Sequence, residues 1–379
     1  MMSPLTEHRV TEIRMVRPGD RYPRTIGRNA RLGSHGDGGR VTAVCLATDG
    51  GARGWGVALG GADGVEAAAR SLTGRAVADL FDPAVGVTDP AALPLDLALH
   101  DLAGHLLGRP VYELLGAAGP RPVPCYDAAI YFDDLDPDDA PRGVEAVLAN
   151  CRDDERAGHR AFKLKIGRGH RWMSPGDGLR RDVEVTRAVR AQHPGARILV
   201  DANDGYSPDG LRAYLEAVAD CGLYWIEEPF PENRADLSRL RAELARLGST
   251  ALVADGEHEP DVPLLLDLAA EGLVDVLLMD VVSFGFTAWR ALWPRVRSLG
   301  VQISPHAWGQ PLKTRYAAHL AAGLGGVPIV EGVPGQTDGV DASGYRLEDG
   351  ALHLPGTPGF GMPLPVTDAS TEPVEGATR

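Results

Sequence analysis

The stretch Ala161-Phe162-Lys163-Leu164-Lys165 is a short apolar run that carries a pair of lysines at its end. Two further runs of the same kind follow it along the chain, one leading into Asp201-Ala202-Asn203 and the next into Glu227-Glu228-Pro229. A charge that ends an apolar strand lies at the carboxyl end of that strand, which in a parallel α/β barrel is the mouth where chemistry takes place. The three motifs therefore predict adjacent barrel strands that share one site, with a divalent metal beside a base.

The pattern around these motifs continues through the rest of the chain from about residue 121. Short apolar runs alternate there with amphipathic segments, which is typical of a (β/α) barrel. The predicted strands are residues 123–130, 161–166, 197–202, 223–227, 251–255, 275–280, 301–304 and 327–331. The predicted helices are residues 142–156, 178–192, 208–220, 236–247, 261–270, 287–299 and 313–323. The fold class is therefore α/β, a modified (β/α)7β barrel of the TIM type.

The segments that flank the barrel follow other patterns. Residues 41–47 and 54–59 predict two antiparallel strands joined by an Asp-Gly turn, and the leucine spacing of residues 94–115 predicts a helix. We therefore expect an α+β capping domain over residues 1–120 and the barrel with the active site over residues 121–344. Residues 345–365 are expected to form a hairpin that returns to the capping domain, and residues 366–379, polar and without periodicity, are expected to be disordered.

The composition excludes several classes of function. The chain of 379 residues has a formal net charge of −14 and no cluster of lysines and arginines typical of nucleic-acid binding. It has no apolar run of membrane-spanning length and no apolar signal region, and its four cysteines lie far apart. We expect a cytoplasmic protein that acts on a small molecule and binds neither nucleic acid nor membranes. The sequence contains no glycine-rich phosphate loop of the P-loop or dinucleotide type, so a nucleotide cofactor is not expected.

The acidic residues at the predicted strand ends indicate a metal site. Asp201 and Glu227 follow neighbouring strands, and the next strand supplies either Asp255 or Glu257. Carboxylates that converge on one mouth repel each other unless a cation neutralises them. A ligand set made only of oxygen favours a hard ion, so the sequence predicts Mg²⁺ at this place.

Two groups of residues could transfer protons beside that metal. Lys163 and Lys165 share one face of a strand, and each is expected to lower the pKa of the other, which suits a lysine that abstracts a proton. Asp280 ends the sixth strand and His306 follows the seventh, so the acid can hold the imidazole as a second base. Glu331 ends the eighth strand, where it could donate a proton or a hydrogen bond to an oxygen.

This set of residues suits the removal of a proton next to a carboxylate. A metal would bind the carboxylate, a base would remove the proton from the adjacent carbon, and the enediolate that results would be stabilised by positive charge. With a lysine on one face and a histidine on the other, either α-configuration could be deprotonated. Alternatively, one base removes the proton and the other helps a β-hydroxyl to leave as water.

At this point the chain resembles the enolase superfamily, in its mandelate racemase and muconate lactonizing enzyme branch. Residues 98–116 resemble the helix and turn that close the capping domain of that family, and Lys163-Leu164-Lys165 resembles its K-x-K motif. The resemblance implies roles for the following residues: Lys165 as base, Asp201, Glu227 and Glu257 as metal ligands, Asp280 and His306 as a dyad, and Glu331 as a stabiliser of the enediolate. Asp255 in place of Glu257 would suit the muconate lactonizing type.

The resemblance also implies a reaction. It favours the Mg²⁺-dependent dehydration of a sugar acid, an aldonate or aldarate, to a 2-keto-3-deoxy acid, and a polar mouth with Asn203 and His258 suits such a substrate. Arg24, in a candidate capping loop over residues 21–36, is a further predicted substrate contact. The alternatives are a racemase or epimerase of a 2-hydroxy acid or amino-acid derivative, and a barrel that binds a ligand without turnover. Members of the family are often even-numbered oligomers, so a homo-oligomer is expected.

Overall fold

The computed structural model describes residues 3–363 and 371–378. Its N-terminal part contains α1 (Pro4–Glu7), β1 (Val10–Val16), β2 (Gly19–Ile26), β3 (Gly36–Arg40), β4 (Ala43–Thr48), β5 (Arg53–Val57), α2 (Gly61–Leu72), β6 (Phe81–Asp82), β7 (Gly86–Val87), α3 (Asp96–Leu107) and α4 (Val111–Leu114). The central part contains β8 (Val123–Ile130), α5 (Val144–Arg156), β9 (Ala161–Lys165), α6 (Pro175–Gln192), β10 (Arg197–Asp201), α7 (Pro208–Ala217), β11 (Leu223–Glu227), α8 (Arg234–Leu247), β12 (Leu252–Asp255), α9 (Val262–Ala270), β13 (Val276–Leu277), α10 (Phe286–Ser298), β14 (Gln302–Ile303), α11 (Pro311–Leu324) and β15 (Val330–Gly332). The C-terminal part contains β16 (Gln336–Thr337), β17 (Arg346–Glu348), β18 (Ala351–His353) and β19 (Thr371–Thr378).

Strands β8 to β15 form the barrel. Strands β8 to β14 pair in parallel with their neighbours in chain order, and β15 returns to pair with β8. Between β14 and β15 the wall is closed by single hydrogen bonds, one of them donated by the Ser304 hydroxyl to the carbonyl of Ile329 over 2.7 Å. Seven helices, α5 to α11, connect the eight strands. The fold is thus the predicted (β/α)7β barrel.

The alternation of residues along the strands explains why charged groups stand above an apolar barrel interior. Ala161, Leu199 and Trp225 form part of one buried layer inside the barrel. Two residues further along the same strands, on the same face, come Lys163, Asp201 and Glu227. The parallel register pairs Asp201 with Lys165 on one side and with Glu227 on the other. Charged side chains of three neighbouring strands therefore meet at one level of the mouth.

The capping part packs on a core of its own and is held to the C-terminal segment. Strands β1, β4 and β5 form an antiparallel sheet against α3, while β2 and β3 form a second sheet with β16. The indole N–H of Trp55 donates to the carbonyl of Met362 over 2.6 Å, and the N–H of Val111 donates to the carbonyl of Gly359 over 2.9 Å. The segment that follows β18 thus lies against the capping part.

The C-terminal hairpin and the tail differ from the sequence expectations. The sequence predicts that the hairpin packs on the capping domain, but β18 pairs with the first residues of β8, Ala351 with Pro124 and Leu352 with Val123. Val123 and Pro124 lie before the part of β8 that pairs with β9 and β15, so their backbone groups are free to pair with β18. Thr371–Thr378 is a strand along the edge of β1 rather than disordered, because an open strand edge can be paired through backbone groups whatever the side chains are. Residues 366–370 and 379 lie outside the described residues.

Among the described residues, no helix is both long and apolar enough to cross a membrane.

Candidate active site

Three carboxylates meet at the mouth of the barrel. Asp201 ends β10, Glu227 ends β11 and Glu257 follows β12, and one oxygen from each lies within 4.8 Å of the others. The Oε2 atoms of Glu227 and Glu257 are buried and have no hydrogen-bond partner among the described residues. Because buried anionic oxygens without partners are costly, a cation fits this place. A donor set of carboxylate oxygens alone is one that Mg²⁺ accepts.

The structure brings Glu257 rather than Asp255 to this group. Asp255 is buried at the end of β12, where its Oδ1 accepts the N–H of Gly256 over 2.8 Å. Burial and neighbouring acids raise the pKa of Asp255 well above its usual value. Gly256 has a φ of 106°, and a Cβ built on it would lie 2.7 Å from a methyl carbon of Leu265. A glycine is therefore needed for the turn that carries Glu257 to the mouth.

The two lysines of β9 are buried among these acids. The Nζ of Lys163 lies 2.6 Å from Glu227 Oε1, 2.7 Å from Glu331 Oε1 and 3.3 Å from Asp201 Oδ2. The Nζ of Lys165 forms an ion pair with Asp201 and lies 5.2 Å from the ring centre of Tyr131. Burial lowers the pKa of each lysine, but the carboxylates raise it more, so both pKa values lie above the usual one. Lys163 does lower the pKa of Lys165, as the sequence predicts, but the carboxylates outweigh this effect and the net pKa is raised.

His306 and Asp280 form the predicted dyad on the other side of the mouth. Their Nδ1 and Oδ2 atoms are 2.9 Å apart, and the Nε2 of His306 lies 3.5 Å from Glu257 Oε2. Burial lowers the pKa of His306, but the charges of Glu257, Glu331 and Asp280 raise it to a net value above the usual one. Asp280 also forms an ion pair of 2.7 Å with Lys313. Lys313 lies on α11, and no sequence motif indicated it. The dyad thus directs Nε2 of the imidazole toward the carboxylates.

Glu331 joins the two sides of the mouth. Its Oε2 accepts the N–H groups of Ala307 and Trp308 over 2.5 and 2.9 Å, and its Oε1 pairs with Lys163. Burial raises the pKa of Glu331, but Lys163, His306 and these hydrogen bonds lower it to a net value of about 2. Glu331 is therefore ionised at neutral pH, so it accepts hydrogen bonds and does not donate a proton. It also holds the turn that carries His306.

The three predicted substrate contacts have different surroundings. Asn203 lies at the mouth, where its amide donates to Glu257 Oε1 over 3.2 Å and its Oδ1 is buried without a partner among the described residues. His258 is exposed. Arg24 does not reach the site, because its guanidinium pairs with Asp154 of α5 over 2.5 and 2.9 Å and donates to the carbonyl of Ala129. That prediction is corrected: Arg24 ties β2 to the outside of the barrel.

The sequence reasoning missed a group of rings at the mouth, although His35 lies in the predicted capping loop. The ring of His35 packs edge-on against Tyr131 at 4.8 Å and Trp308 at 5.9 Å, between ring centres. Tyr22 stacks on Trp308 at 5.8 Å. Burial, followed by the charge of Lys165, lowers the pKa of His35 to about 4. The one sequence signal was the position of Tyr131 and Trp308 just after predicted strands.

Solved structures of known proteins share this fold. Galacturonate dehydratase from Geobacillus sp., solved with D-galacturonate and 5-keto-4-deoxy-D-galacturonate, matches with a TM-score of 0.88 and 33% identity over 95% of each chain. A mandelate racemase/muconate lactonizing protein from Geobacillus sp. Y412MC10, solved with magnesium and tartrate, matches with a TM-score of 0.89 and 33% identity over 96% of this chain and 94% of that one. These proteins carry the same architecture over nearly their whole length.

Sequence comparison gives the family. D-Galactarolactone cycloisomerase from Agrobacterium fabrum is 29% identical over 250 residues, which is 64% of this chain and 60% of that protein. Other relatives are named dehydratases, epimerases and cycloisomerases, so the chain is an enzyme. Residues 146–368, more than half of the chain, match the family model described as enolase C-terminal domain-like. The chain belongs to the enolase superfamily, in its mandelate racemase and muconate lactonizing enzyme-like branch.

Proposed function

We propose that the enzyme removes the proton α to the carboxylate of a sugar acid and eliminates the β-hydroxyl as water, giving a 2-keto-3-deoxy acid, with Mg²⁺ as cofactor. One observation carries this proposal. Two groups able to transfer protons, Lys165 and the Nε2 of His306, flank the carboxylate cluster from two different sides. Relatives named D-galactonate, D-gluconate and D-xylonate dehydratases support the choice of a sugar acid.

The charges at the mouth support a divalent cation on Asp201, Glu227 and Glu257. Together with Glu331 these residues give four carboxylates, against the two ammonium groups of the lysines, so the net charge is −2 when His306 is neutral. When bound, Mg²⁺ supplies positive charge for the substrate carboxylate and shields the lysines from the acids, which lowers the pKa of the base toward the value that proton abstraction needs.

The contacts of the two lysines assign them different roles. Lys163 is held by three carboxylates, whereas Lys165, among the acids that the structure describes, forms an ion pair with Asp201 alone. The less restrained ammonium group is the one that can turn toward a substrate, so Lys165 acts as the base. Lys163 fixes Glu227 and Glu331 and keeps the positive charge of the mouth in place.

His306 assists the departure of water on the other side. Lys165 takes the proton from Cα, the electron pair of that C–H bond forms a double bond to Cβ, and the C–O bond at Cβ breaks. Nε2 of His306, directed inward by the bond from Nδ1 to Asp280, gives its proton to the leaving hydroxyl. The enol that results takes up a proton at Cβ and becomes the 2-keto-3-deoxy acid.

Epimerisation is the second candidate. It is favoured by the same pair of bases, because one can remove the α-proton and the other can return a proton to the opposite face. Relatives named L-Lys-D/L-Arg epimerase and hydrophobic dipeptide epimerase support this alternative. In that reaction no C–O bond breaks.

Incubation of the enzyme with Mg²⁺ and a panel of sugar acids in deuterated water separates the candidates. Dehydration gives a keto acid that reacts with semicarbazide, whereas epimerisation gives deuterium at Cα without loss of water. Lys165→Ala and His306→Asn are each expected to lower turnover about 10²- to 10⁴-fold. His353→Asn, on β18 at the opposite end of the barrel, is the matched control and is expected to retain turnover. If the wild type catalysed neither reaction, and its rates equalled those of both variants, the protein would be a non-catalytic barrel.

A further inference from the structure

His35 carries a buried nitrogen to which no residue in the described part of the chain hydrogen-bonds. Its ring lies beside Tyr131, which in turn lies 5.2 Å from the Nζ of Lys165, so the capping loop reaches the edge of the mouth here. The Nε2 of His35 is buried and has no hydrogen-bond partner among the described residues. A buried polar group left unpaired costs about 1–3 kcal/mol. Such a group beside a candidate base is satisfied when a ligand supplies the partner.

The contacts of the ring fix which kind of partner is needed. The indole N–H of Trp308 donates to the Nδ1 of His35 over 3.5 Å, so Nδ1 accepts and the proton of the neutral ring is on Nε2. Burial and the charge of Lys165 lower the pKa of His35 to about 4, which keeps the ring neutral near pH 7. The ring therefore offers one uncharged N–H donor, which suits a hydroxyl or carbonyl oxygen.

The cations of the capping loop are already paired. Its arginines bond as follows: Arg21 with Asp338, Arg24 with Asp154, Arg28 with Asp136 and Arg31 with Asp204. Lys313, the further lysine at the mouth, pairs with Asp280. Among the described residues, each arginine of the capping loop, and Lys313 at the mouth, therefore already has a carboxylate partner and is not free for a second carboxylate of the substrate. A charge placed against Tyr131, Trp308 and a neutral imidazole would lose its hydration without compensation.

We propose that His35 donates its Nε2–H to an uncharged oxygen at the distal end of the substrate, and that the substrate is a monocarboxylic sugar acid, an aldonate or uronate, rather than an aldarate. The inference rests on the proposed function, in which the carboxylate end lies at Asp201, Glu227 and Glu257. It excludes the aldarates, which are one of the two substrate classes that the sequence left open. His35 acts here as a substrate-contacting residue and transfers no proton.

The test compares ligands and variants in parallel. Hexonates, hexuronates, the matching hexarates and the 6-deoxy hexonates are titrated into the Mg²⁺-loaded enzyme by calorimetry, and kcat/KM is measured for those that react. The variants are His35→Phe, which keeps a ring without the donor, and His35→Gln, which keeps an N–H donor. His353→Phe, on the hairpin at the opposite end of the barrel, is the control.

We expect the wild type to bind one or more monoacids at least tenfold more tightly than the matching hexarate. His35→Phe is expected to lower kcat/KM for that monoacid about 10- to 100-fold, with His35→Gln retaining most of it and the 6-deoxy analogue showing no further loss in the variant. Equal losses for the hexonate and its 6-deoxy analogue, or a preference for hexarates, would overturn the inference. Tight binding of a monoacid with no hydrogen exchange and no loss of water would overturn the proposed function and leave the role of His35 standing.

Discussion

Glu257→Gln is expected to weaken the binding of Mg²⁺, whereas Asp255→Asn is expected to leave it unchanged. Asp255 ends β12 and Glu257 follows it, and the sequence alone left either of them as the third ligand. In the structure Glu257 contributes to the group formed with Asp201 and Glu227 a buried oxygen that has no hydrogen-bond partner among the described residues. Asp255 is buried apart from that group, with one of its oxygens on the N–H of Gly256. We expect glutamine at position 257 to weaken binding and asparagine at position 255 to leave it unchanged.

The size of the effect follows from the loss of one charge from a buried cluster. Removing one partner of a buried ion pair costs about 3–5 kcal/mol, and the side chain of Glu257 is partly exposed, so the lower figure applies. A loss of about 3 kcal/mol weakens the Kd for Mg²⁺ about a hundredfold. At a free Mg²⁺ concentration of about 100 times the wild-type Kd, the ion stabilises the wild type by about 2.7 kcal/mol, whereas Glu257→Gln gains only about 0.4 kcal/mol.

Thermal unfolding with and without Mg²⁺ measures this difference. With an unfolding entropy of about 2.1 cal/mol/K per residue over the 379 residues of the chain, the wild type should shift by about 3 °C and Glu257→Gln by about 0.5 °C. Asp255→Asn, which keeps an acceptor for Gly256 and removes no ionised ligand, should shift as the wild type does. Calorimetric titration of Mg²⁺ into the ion-free proteins gives the Kd values directly. If Asp255→Asn lost the shift while Glu257→Gln kept it, the assignment of the third ligand would be wrong.

Three other substitutions test the surroundings of the site. Lys313→Met removes the ion pair that holds Asp280, and we expect kcat to fall about tenfold with KM little changed, as initial rates would show. Arg168→Met removes the guanidinium shared by the fully buried Asp134 and Asp182 and should lower the free energy of unfolding by about 3 kcal/mol in a urea titration, the lower end of the usual range because Arg181 still pairs with Asp134. Burial lowers the pKa of His319 from 6.5 to about 3, so between these values the unfolded chain binds the proton and the folded protein does not. His319 therefore lowers the free energy of unfolding of the wild type as the pH falls below 6.5. The difference in free energy of unfolding between the wild type and His319→Gln should shrink by up to about 1.4 kcal/mol for each pH unit. Denaturant unfolding of both proteins at several pH values measures this difference.

The barrel could be predicted closely from the sequence because its strands are buried on both faces. Such strands are short apolar runs, and at several of them, including β9, β10 and β11, a charged residue marks the end of the strand. The first and fourth predicted strands, residues 123–130 and 223–227, agree with β8 and β11 at both ends. The sixth and seventh strands, β13 and β14, are only two residues long in the structure, because only those residues of each apolar run pair with the neighbouring strands.

The capping loop could not be predicted in the same way. Strand β2 includes Gly19, Pro23 and two arginines, and its partner β3 contains three glycines, so neither has an apolar alternation. The two strands are held by pairing with each other and with β16, which is far away in the sequence. Arg24 looked like a substrate contact because it is a basic residue in a loop. In the structure Arg24 pairs with Asp154, which is more than a hundred residues away in the sequence, and this ion pair gives Arg24 a structural role.

The lysine pair shows why the site was easier to predict than its electrostatics. The positions of Lys163 and Lys165 follow from strand alternation, which needs no knowledge of neighbours. Their pKa values depend on distances to carboxylates of other strands, and those distances are short enough to outweigh both burial and the repulsion between the lysines. The same acids that raise these pKa values are the ones that would hold Mg²⁺. A divalent cation bound there would neutralise the acidic cluster and would also lower the pKa of the adjacent lysine, as the proposed role of Lys165 requires.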